Sequence, residues 1–519
     1  MKRKSFEKNE EINNNELLNK NSFVNRFFCE DCISGARRYL PDACIDLLIC
    51  DPPYGINGSY LDKHYNRSKN KLIDGYVDIP IEKYEKFSRE WIAEASRVLR
   101  PDGTIFIISG YSNLLPILEA LEDPKNNLVK IRHFIWKYNF GVWTTRKFVS
   151  SHYHILYYKK SIKNPNSNTN LHEYGKCESI WIIPREYHVG EIRNKNQLPT
   201  SLLQKLVILG LSLSSSSSTN SSVPIVADFF LGSFSTARVA LEMGCNVTGF
   251  EINEEAFKYW EPKIREKLKN NKYSIKKFRS DNSKLPIENS YSQKSLVIYP
   301  FIYSTNSASA SSSSSSNSCG NSGSNSYSDG DDDGGSGSSS NANLPILPSS
   351  EKSCDVHLII CWPSIVPTKQ WLNRVESRLC PGGSLYLVTS VENLSFSLSL
   401  LKKSSVSLKE VNHIIWQYSN RDTSQEETYH HILFYEKPGS TRYFNPFAIY
   451  DKEKRFPNGK SANYTDREDV WTSTLDWVQV VTKIIHYSSC ENHIIASFCE
   501  KEKVVKEVAK KLNRKFIYL

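Results

Sequence analysis

The sequence has no long apolar run and no regular framework of cysteines. No stretch of about eighteen apolar residues occurs, and none follows the basic start of the chain, so we expect neither a membrane-spanning helix nor a secretory signal. The 12 cysteines are irregularly spaced, and the one C-x-x-C, Cys29 with Cys32, lacks the partners of a zinc site. We therefore expect reduced cysteines, no bound metal and an intracellular location, in the nucleus if the source is eukaryotic and otherwise in the cytoplasm.

The composition is that of a globular protein with polar insertions. The 519 residues suffice for two or three domains, and 28 Tyr, 23 Phe and 10 Trp can fill their cores. Three segments are too polar to bury a core and are predicted to be disordered: 1–22, the serine-rich 212–222 and the Ser/Asn/Gly/Asp-rich 304–343. The net charge of +10 suits a polyanionic partner without requiring one.

Between these segments, short apolar strands alternate with helical stretches. This alternation predicts an α/β, Rossmann-like fold with a mostly parallel sheet that is covered by helices on both faces. The clearest predicted strands are Ile45–Cys50, Thr104–Ser109, Val223–Asp228 and Asn246–Phe250, and the clearest predicted helices are Tyr84–Leu99 and Ser235–Met243.

Four sequence patterns of the first half recur in the same order in the second half. The matched pairs are Trp91 to Gly103 with Trp371 to Gly383, His133 to Tyr138 with His413 to Tyr418, Tyr153 to Tyr158 with His430 to Tyr435, and Ile225 to Gly249 with Ile494 to Tyr518. Four matches in one order are not expected by chance, so we predict two tandem copies of one fold.

The run Asp51-Pro52-Pro53-Tyr54 follows a predicted strand, at the end where open α/β sheets place their ligand sites. The exocyclic amine of a nucleobase is a poor nucleophile because its lone pair is delocalised into the ring. A carboxylate at Asp51 and the carbonyl of Pro52 can accept the two amino hydrogens, and the prolines stiffen the turn. Tyr54 offers a face on which an extruded base can stack. Taken alone, the run fits a surface turn before a core tyrosine equally well.

A second candidate site lies between a predicted strand and a predicted helix, from Asp228 to Thr236. Gly232 allows the backbone to approach a ligand closely, and the first N–H groups of the following helix can bind a carboxylate. Glu251 ends the next strand, where nucleotide-binding sheets place an acidic residue that holds ribose hydroxyls. Because the turn has a single glycine, a plain strand-to-helix connection is the alternative.

Together, these motifs make residues 23 to 268 similar to the DNA amino-methyltransferases of the N6-adenine/N4-cytosine family. The similarity is to the β class, in which the catalytic motif precedes the cofactor motif. The motifs that carry it are Glu30-Asp31-Cys32, Asp51 to Gly55, Trp91 with Arg97 to Gly103, Lys195 to Thr200, Asp228 to Thr236 and Gly249 to Glu251. The sequence departs from the family pattern at Phe234, where a second glycine is commoner.

The resemblance implies S-adenosylmethionine as the cofactor and DNA as the substrate. It assigns the target base to Asp51, Pro52, Pro53 and Tyr54, and the Asp at position 51 favours adenine over cytosine. It also implies a set of residues around the cofactor, namely Asp31, Gln197, Pro199, Thr200, Asp228, Phe230, Gly232, Ser233 and Glu251.

Cations and aromatic rings are interleaved from Lys137 to Phe148, as on a surface that follows a nucleic-acid strand. We take Lys137, Trp143, Arg146 and Lys147 as candidate DNA contacts, with an ordinary loop of core aromatics as a nearly equal alternative. Residues 159–193, where the β class keeps target recognition, are few, so any sequence preference must use little surface or borrow from the second copy.

The second copy lacks the residues of both candidate sites. Cys361-Trp362-Pro363-Ser364-Ile365 stands where the first copy has Cys50 to Tyr54, Ser497 replaces Asp228, and Lys501 replaces Gly232. We therefore predict a disordered tail 1–22, a catalytic domain 23–275 and a degenerate domain 276–519. The degenerate domain is predicted to bind no cofactor, to pack on the first as an intramolecular pseudo-dimer and to help hold DNA. A further homo-oligomer is left open.

The leading hypothesis is a site-specific adenine-N6 DNA methyltransferase. The alternatives are a cytosine-N4 DNA methyltransferase, an RNA amino-methyltransferase and, from another class, a non-catalytic nucleic-acid-binding subunit. The intact Asp51, Tyr54 and Glu251 speak against the last of these. The sequence has no nuclease motif, so it does not indicate a self-contained restriction system.

Overall fold

A computed structural model describes twelve stretches of the chain. They are residues 23–55, 78–139, 141, 143–161, 178–186, 197–211, 223–270, 356–363, 367–418, 428–472, 475–499 and 502–519. The three segments predicted to be disordered, 1–22, 212–222 and 304–343, lie outside these residues, as do Lys195, Ser364, Ile365 and Lys501.

The first half of the chain forms an eight-stranded sheet. Its strands are β1 Arg26–Phe28, β2 Ile45–Cys50, β3 Leu99–Ser109, β4 Leu128–Lys137, β5 His152–Lys160, β6 Ile180–Ile182, β7 Ile225–Asp228 and β8 Asn246–Phe250. Their order across the sheet is β1-β8-β7-β2-β3-β5-β4-β6. The order places β7 and β2, which precede the two candidate sites, side by side in the sheet.

Helices cover both faces of this sheet. They are α1 Cys32–Tyr39, α2 Ile81–Val98, α3 Leu114–Leu121, a 3-10 turn Pro124–Asn126, α4 Thr200–Leu211, α5 Ser235–Glu242 and α6 Glu254–Asn270. The alternation of side chains along β2 explains the two layers, because Leu48 packs in one apolar cluster with Trp91 of α2. Its neighbour Leu47 packs in the opposite cluster with Leu206 of α4.

The second half forms a seven-stranded sheet. Its strands are β9 Val356–Trp362, β10 Leu379–Thr389, β11 Lys409–Gln417, β12 Tyr429–Glu436, β13 Val470–Trp471, β14 Ile494–Cys499 and β15 Lys515–Tyr518. Its helices are α7 Lys369–Arg378, α8 Leu394–Lys403, α9 Ala462–Asp466, α10 Trp477–Ser488 and α11 Glu502–Lys511. The order is β13-β11-β12-β10-β9-β14-β15, which is the order of β6-β4-β5-β3-β2-β7-β8 in the first sheet.

Both sheets are mixed, which corrects the prediction of a mostly parallel sheet. In the first sheet, β5 runs antiparallel to both β3 and β4. In the second, β12 runs antiparallel to β10 and β11. The reason is that β4 and β5 are consecutive strands without an intervening helix, and a parallel pair needs a long crossover to return the chain to the starting edge.

The described parts of the two halves belong to one compact unit. Four buried histidines lie where the halves meet. They form two pairs, and within each pair the two rings are joined by a hydrogen bond between ring nitrogens. His133 Nε2 lies 2.9 Å from His154 Nδ1, and His413 Nε2 lies 2.8 Å from His431 Nδ1. The ring centroids of His154 and His413 are 4.7 Å apart, and those of His133 and His431 are 5.2 Å apart. The two pairs therefore form one contiguous cluster across the junction.

A second contact between the halves is polar and involves the chain just before β5. The carboxylate of Asp469 accepts hydrogen bonds from the backbone N–H and the hydroxyl of Ser151, at 2.9 and 3.0 Å. The same oxygen lies 3.0 Å from His152 Nδ1. These bonds fix the start of a strand of the first sheet from the second half of the chain.

Among the helices of the described stretches, none combines the length and the apolar composition that crossing a membrane requires.

Candidate active site

Four acidic residues follow four neighbouring parallel strands of the first sheet. Asp31 follows β1, Glu251 follows β8, Asp228 ends β7, and Asp51 follows β2. Because these strands are adjacent and run in the same direction, the four residues lie along one edge of the sheet. This edge is where open α/β sheets bind their ligands.

The turn from Asp51 to Gly55 is held by side chains of other segments. Tyr84 of α2 donates from its hydroxyl to the carbonyl of Pro53 at 2.8 Å, and the side-chain amide of Asn113 donates to the carbonyl of Tyr54. Gly55 has a positive φ of 59°, and a Cβ there would come within 2.5 Å of the Tyr84 ring. Glycine is therefore required at that position for both conformation and space.

The carboxyl group of Asp51 lies in a poorly solvated setting with another acid nearby. Burial, and after it the charge of Asp228, raise the pKa of Asp51 to about 7. A hydrogen bond from the hydroxyl of Tyr54, 3.3 Å long, acts in the opposite direction. Burial also raises the pKa of Asp228 to about 7. The two carboxyl groups thus titrate near neutral pH, where either protonation state is accessible at little free-energy cost.

The glycine turn after β7 is closed by Glu251. The N–H of Gly232 donates to one carboxylate oxygen of Glu251 at 2.5 Å, and the N–H of Asn253 donates to the other at 2.8 Å. Gly232 has a positive φ of 50°. Asp228 accepts a hydrogen bond from the N–H of Phe230 at 2.8 Å, which fixes the start of the same turn.

Phe234 explains why a glycine is commoner at its position. Its φ is 58° and its ψ is 26°, a left-handed backbone conformation that residues other than glycine rarely adopt. Its ring is fully buried, with edge contacts to Phe27 and Phe257 at centroid distances of 5.1 and 5.9 Å. The packing of the ring thus offsets the backbone strain.

The segment before α4 reaches the glycine turn, as its place in the cofactor set implies. The hydroxyl of Ser233 donates to the side-chain oxygen of Gln197 at 3.1 Å. Pro199 is buried, and Thr200 donates from its hydroxyl to Glu186 at 2.9 Å. Asp31 caps α1, since its carboxylate accepts from the N–H groups of Ile33 and Ser34 at 3.1 and 3.0 Å.

The chemistry of this edge fits S-adenosylmethionine. Burial raises the pKa of Glu251 as well as that of Asp228, and no Lys or Arg of the described stretches makes an ion pair with either acid. Buried acids without a cation suit a ligand that carries positive charge and hydroxyl groups, as the ammonium, sulfonium and ribose of S-adenosylmethionine do. The N-terminus of α5 adds free N–H groups suited to its carboxylate.

Two of the four candidate DNA contacts are engaged inside the chain. Lys137 makes a 2.8 Å ion pair with Glu468, and Lys147 donates to the hydroxyl of Tyr111 at 2.8 Å. Trp143 is 43% exposed, with the guanidinium of Arg467 4.3 Å from its ring centroid. Arg146 is exposed. The structure therefore leaves Trp143 and Arg146 as the accessible members of this set.

A group of aromatic residues beside the Asp51 turn was missed by the sequence reasoning. Tyr153 of β5 lies 5.9 Å from Tyr54 between ring centroids, and it stacks on Trp136 of β4 at 5.4 Å. Arg185, three residues after β6, donates to the hydroxyl of Tyr153 at 3.0 Å. In the sequence, the aromatic residues of β4 and β5 indicated the internal repeat only, and no motif marks Arg185.

In the second half, indole rings fill the corresponding place. Trp362 stands at the position of Asp51, and its ring lies 5.4 Å from Trp416 and 4.8 Å from Trp477 between centroids. Trp416 occupies the position of Trp136 by the sequence match. By the sequence match, packed indole rings therefore stand at the positions of Asp51 and Trp136.

Comparison with known proteins shows what this part of the chain is similar to. Residues 45–262 match the model of the N6_N4_Mtase family, described as DNA methylase. The type II methyltransferase M.HpaI of Haemophilus parainfluenzae is 27% identical over 245 residues, which are 44% of this chain and 71% of that protein. M.HinfI of Haemophilus influenzae is 26% identical over 267 residues, 48% of this chain and 70% of that protein.

Two solved structures are also similar to this chain. The complex of M1.HpyAVI with S-adenosylmethionine has 19% sequence identity and a TM-score of 0.30, over 46% of this chain and 97% of that one. The cytosine-N4-specific PvuII DNA methyltransferase has 14% identity and a TM-score of 0.34, over 49% of this chain and 89% of that one.

Proposed function

We propose that this chain methylates N6 of an adenine that is flipped out of DNA, since residues 45–262 match the model of the DNA amino-methyltransferase family and the chain is similar to two type II methyltransferases. The observation that carries the proposal is that the Asp51 turn and the glycine turn, with the acids Asp228 and Glu251, lie side by side at the ends of adjacent parallel strands. Asp51 favours adenine, and cytosine N4 is the alternative target of the same site.

The residues of the Asp51 turn would hold the base. The carboxylate of Asp51 and the carbonyl of Pro52 would each accept one hydrogen of the exocyclic amine, which directs its lone pair out of the plane of the base. Tyr54 would stack on the ring, and Pro53 would keep the turn rigid. When bound, S-adenosylmethionine supplies an electrophilic methyl group on a sulfonium.

The residues of the glycine turn would hold the cofactor. Glu251 would bind the ribose hydroxyls, and Asp228 with Phe230, Gly232 and Ser233 would surround the methionine part. Their neighbours Gln197, Pro199 and Thr200 would border the same pocket, and Asp31 would lie near the adenine of the cofactor. Trp143 and Arg146 would contact the DNA, since their side chains are exposed.

The identity of the modified base is tested by mass spectrometry of nucleosides from DNA and from RNA incubated with the protein and S-adenosylmethionine. We expect N6-methyladenine in the DNA and none with the Asp51→Ala variant. N4-methylcytosine would reassign the base, and a mark in RNA alone would reassign the substrate. If neither the DNA nor the RNA is methylated, the proposal that this chain is a nucleic-acid methyltransferase is wrong.

We further propose that the second half is a degenerate copy of the first, with the domains divided at about residue 275. The shared strand order and the four sequence matches support a common origin. The Trp362 cluster and Ser497 at the position of Asp228 support the loss of its sites. The bonds of Asp469 to Ser151 and His152 support the pseudo-dimer, since they tie the halves together.

This second proposal predicts one cofactor site per chain. In isothermal titration calorimetry, the full-length protein is expected to bind one molecule of S-adenosylmethionine per chain. Glu251→Ala is expected to weaken binding at least about tenfold, because a charged hydrogen-bond acceptor contributes roughly 1.5–3 kcal/mol. Two equivalents, or one tight site that survives Glu251→Ala, would contradict the assignment of the sites.

A further inference from the structure

The guanidinium of Arg185 lies within a group of aromatic rings beside the Asp51 turn. Its carbon is 4.2 Å from the ring centroid of Tyr138, 5.3 Å from that of Tyr153 and 5.8 Å from that of Trp136. Its Nη2 donates to the hydroxyl of Tyr153 at 3.0 Å. A cation over several ring faces is held by the ring quadrupoles, so the side chain has a defined position.

This group of rings continues into the candidate active site. Tyr153 contacts Tyr54, with the two rings inclined by 32°. Tyr54 in turn donates to Asp51. The positive charge of Arg185 acts on both Asp51 and Tyr54 and lowers the pKa of each against the effect of burial. Arg185 is thus connected to Asp51 both through ring contacts and through its charge.

Structural packing alone accounts poorly for a cation at this place. In the described stretches, Arg185 makes no ion pair with a carboxylate, and its Nε is buried without a hydrogen-bond partner. Burying a guanidinium under such conditions costs free energy that an apolar side chain would avoid. In the described part of the second half, aromatic side chains without a cation fill the matching region, where Trp477 packs on Trp362 and Trp416.

We infer that Arg185 is a positioning residue for methyl transfer. Its charge favours the carboxylate form of Asp51, which accepts the amino hydrogens, and its hydrogen bond to Tyr153 holds that ring against Tyr54, on which the base would stack. The inference rests on the proposed function and adds to it a residue after β6, outside the motifs from which that function was derived.

The charged and titratable groups around Asp51 define the pH dependence to expect. Asp228 faces it from β7, Cys50 precedes it in β2, Tyr54 belongs to its own turn, and Arg185 approaches from beyond β6. Of these, Arg185 alone is cationic. A base-holding Asp51 must be ionised, so activity falls as the pH decreases through its pKa. Removing the positive charge raises that pKa further, and the acid limb of the rate profile moves to higher pH.

The test is the pH profile of kcat and of KM for DNA with full-length Arg185→Gln and Arg185→Lys. For Arg185→Gln we expect the midpoint of the acid limb to rise by about one pH unit. The loss of kcat is then up to about tenfold larger near pH 6.5 than near pH 8.5. Arg185→Lys should restore the midpoint and leave kcat reduced, because an ammonium lacks the planar fork that binds Tyr153.

Lys205→Gln is the matched control, since Lys205 places its cation 4.3 Å from the ring centroid of Trp181 on an exposed part of α4. It should leave both midpoint and kcat unchanged. An Arg185→Gln profile like that of the wild type, or a loss equal at every pH, would overturn the inference while the proposed function stands. A wild-type chain that methylates no nucleic acid would remove both.

Discussion

Asp51→Ala is expected to reduce methyl transfer by about a hundredfold to a thousandfold while S-adenosylmethionine binding changes little. The loss has the size seen when one preorganised hydrogen-bonding group is removed from a reacting centre. Asp51 contacts the base in the proposed mechanism, and Asp228 and Glu251, which are proposed to hold the cofactor, keep their own hydrogen bonds to Phe230 and Gly232 without it. Single-turnover rates with excess enzyme, together with calorimetric binding of the cofactor, measure the two effects separately.

Asp51→Asn distinguishes the acceptor from the charge at the same position. An amide retains one oxygen that can accept an amino hydrogen, so its rate should lie between those of the wild type and of Asp51→Ala. Trp362→Phe is the matched control, because Trp362 occupies the corresponding position of the second half. Equal rates for the wild type and Asp51→Ala, or loss of activity in Trp362→Phe alone, would show that the site has been assigned to the wrong residues.

Acidification below about pH 6.5 is expected to destabilise the chain steeply at the junction of its two halves. The cause is the cluster of His133, His154, His413 and His431, all fully buried or nearly so. Burial, followed by the neighbouring positive groups, lowers the pKa of each ring well below its ordinary value. Within the described residues, no three His, Cys, Asp or Glu side chains are arranged to hold a metal ion.

The direction follows from proton uptake. Between the ordinary pKa of histidine, about 6.5, and the lower value in the fold, the unfolded chain binds protons that the folded chain excludes. The stabilising contribution is therefore complete above pH 6.5 and is lost as the pH falls. Four such rings contribute a slope of up to about 5 kcal/mol per pH unit, and the raised pKa values of Asp51 and Asp228 contribute up to about 3 kcal/mol per pH unit in the opposite direction.

Urea unfolding at a series of pH values between about 5 and 8 measures this slope. In the double variant His133→Asn with His413→Asn, the slope should fall by about two protons, whatever its stability at pH 8. The readout is a change of slope, so general destabilisation by the substitutions does not imitate it. A double variant with the same slope as the wild type would contradict the role of the cluster.

Much of the first half could be predicted from local sequence. The predicted helix Tyr84–Leu99 and strand Ile45–Cys50 correspond to Ile81–Val98 and Ile45–Cys50 of the structure, because apolar periodicity and flanking prolines act over a few residues. The direction of β5 was not predictable in this way. Strand direction depends on how the chain returns to the sheet, and neither β4 nor β5 encodes that return in its own periodicity.

The candidate DNA contacts show the same division. The sequence marked Lys137, Trp143, Arg146 and Lys147 by residue type, and residue type does not distinguish an exposed cation from one with a partner. Glu468, more than three hundred residues later in the chain, pairs with Lys137, and Tyr111 binds Lys147. Both partners become visible only when the chain is folded.

The sequence by itself determined the chemistry of the two turns, because Asp51 to Tyr54 and Asp228 to Glu251 carry their functional groups within short, rigid segments at strand ends. The tertiary structure decided what surrounds those groups. It set four acids along one edge through strand order, brought Arg185 to the aromatic rings beside the Asp51 turn through the pairing of β6 with β4, and joined four histidines across the junction. These contacts connect distant segments, and burial gives them their energies, so no local pattern records them.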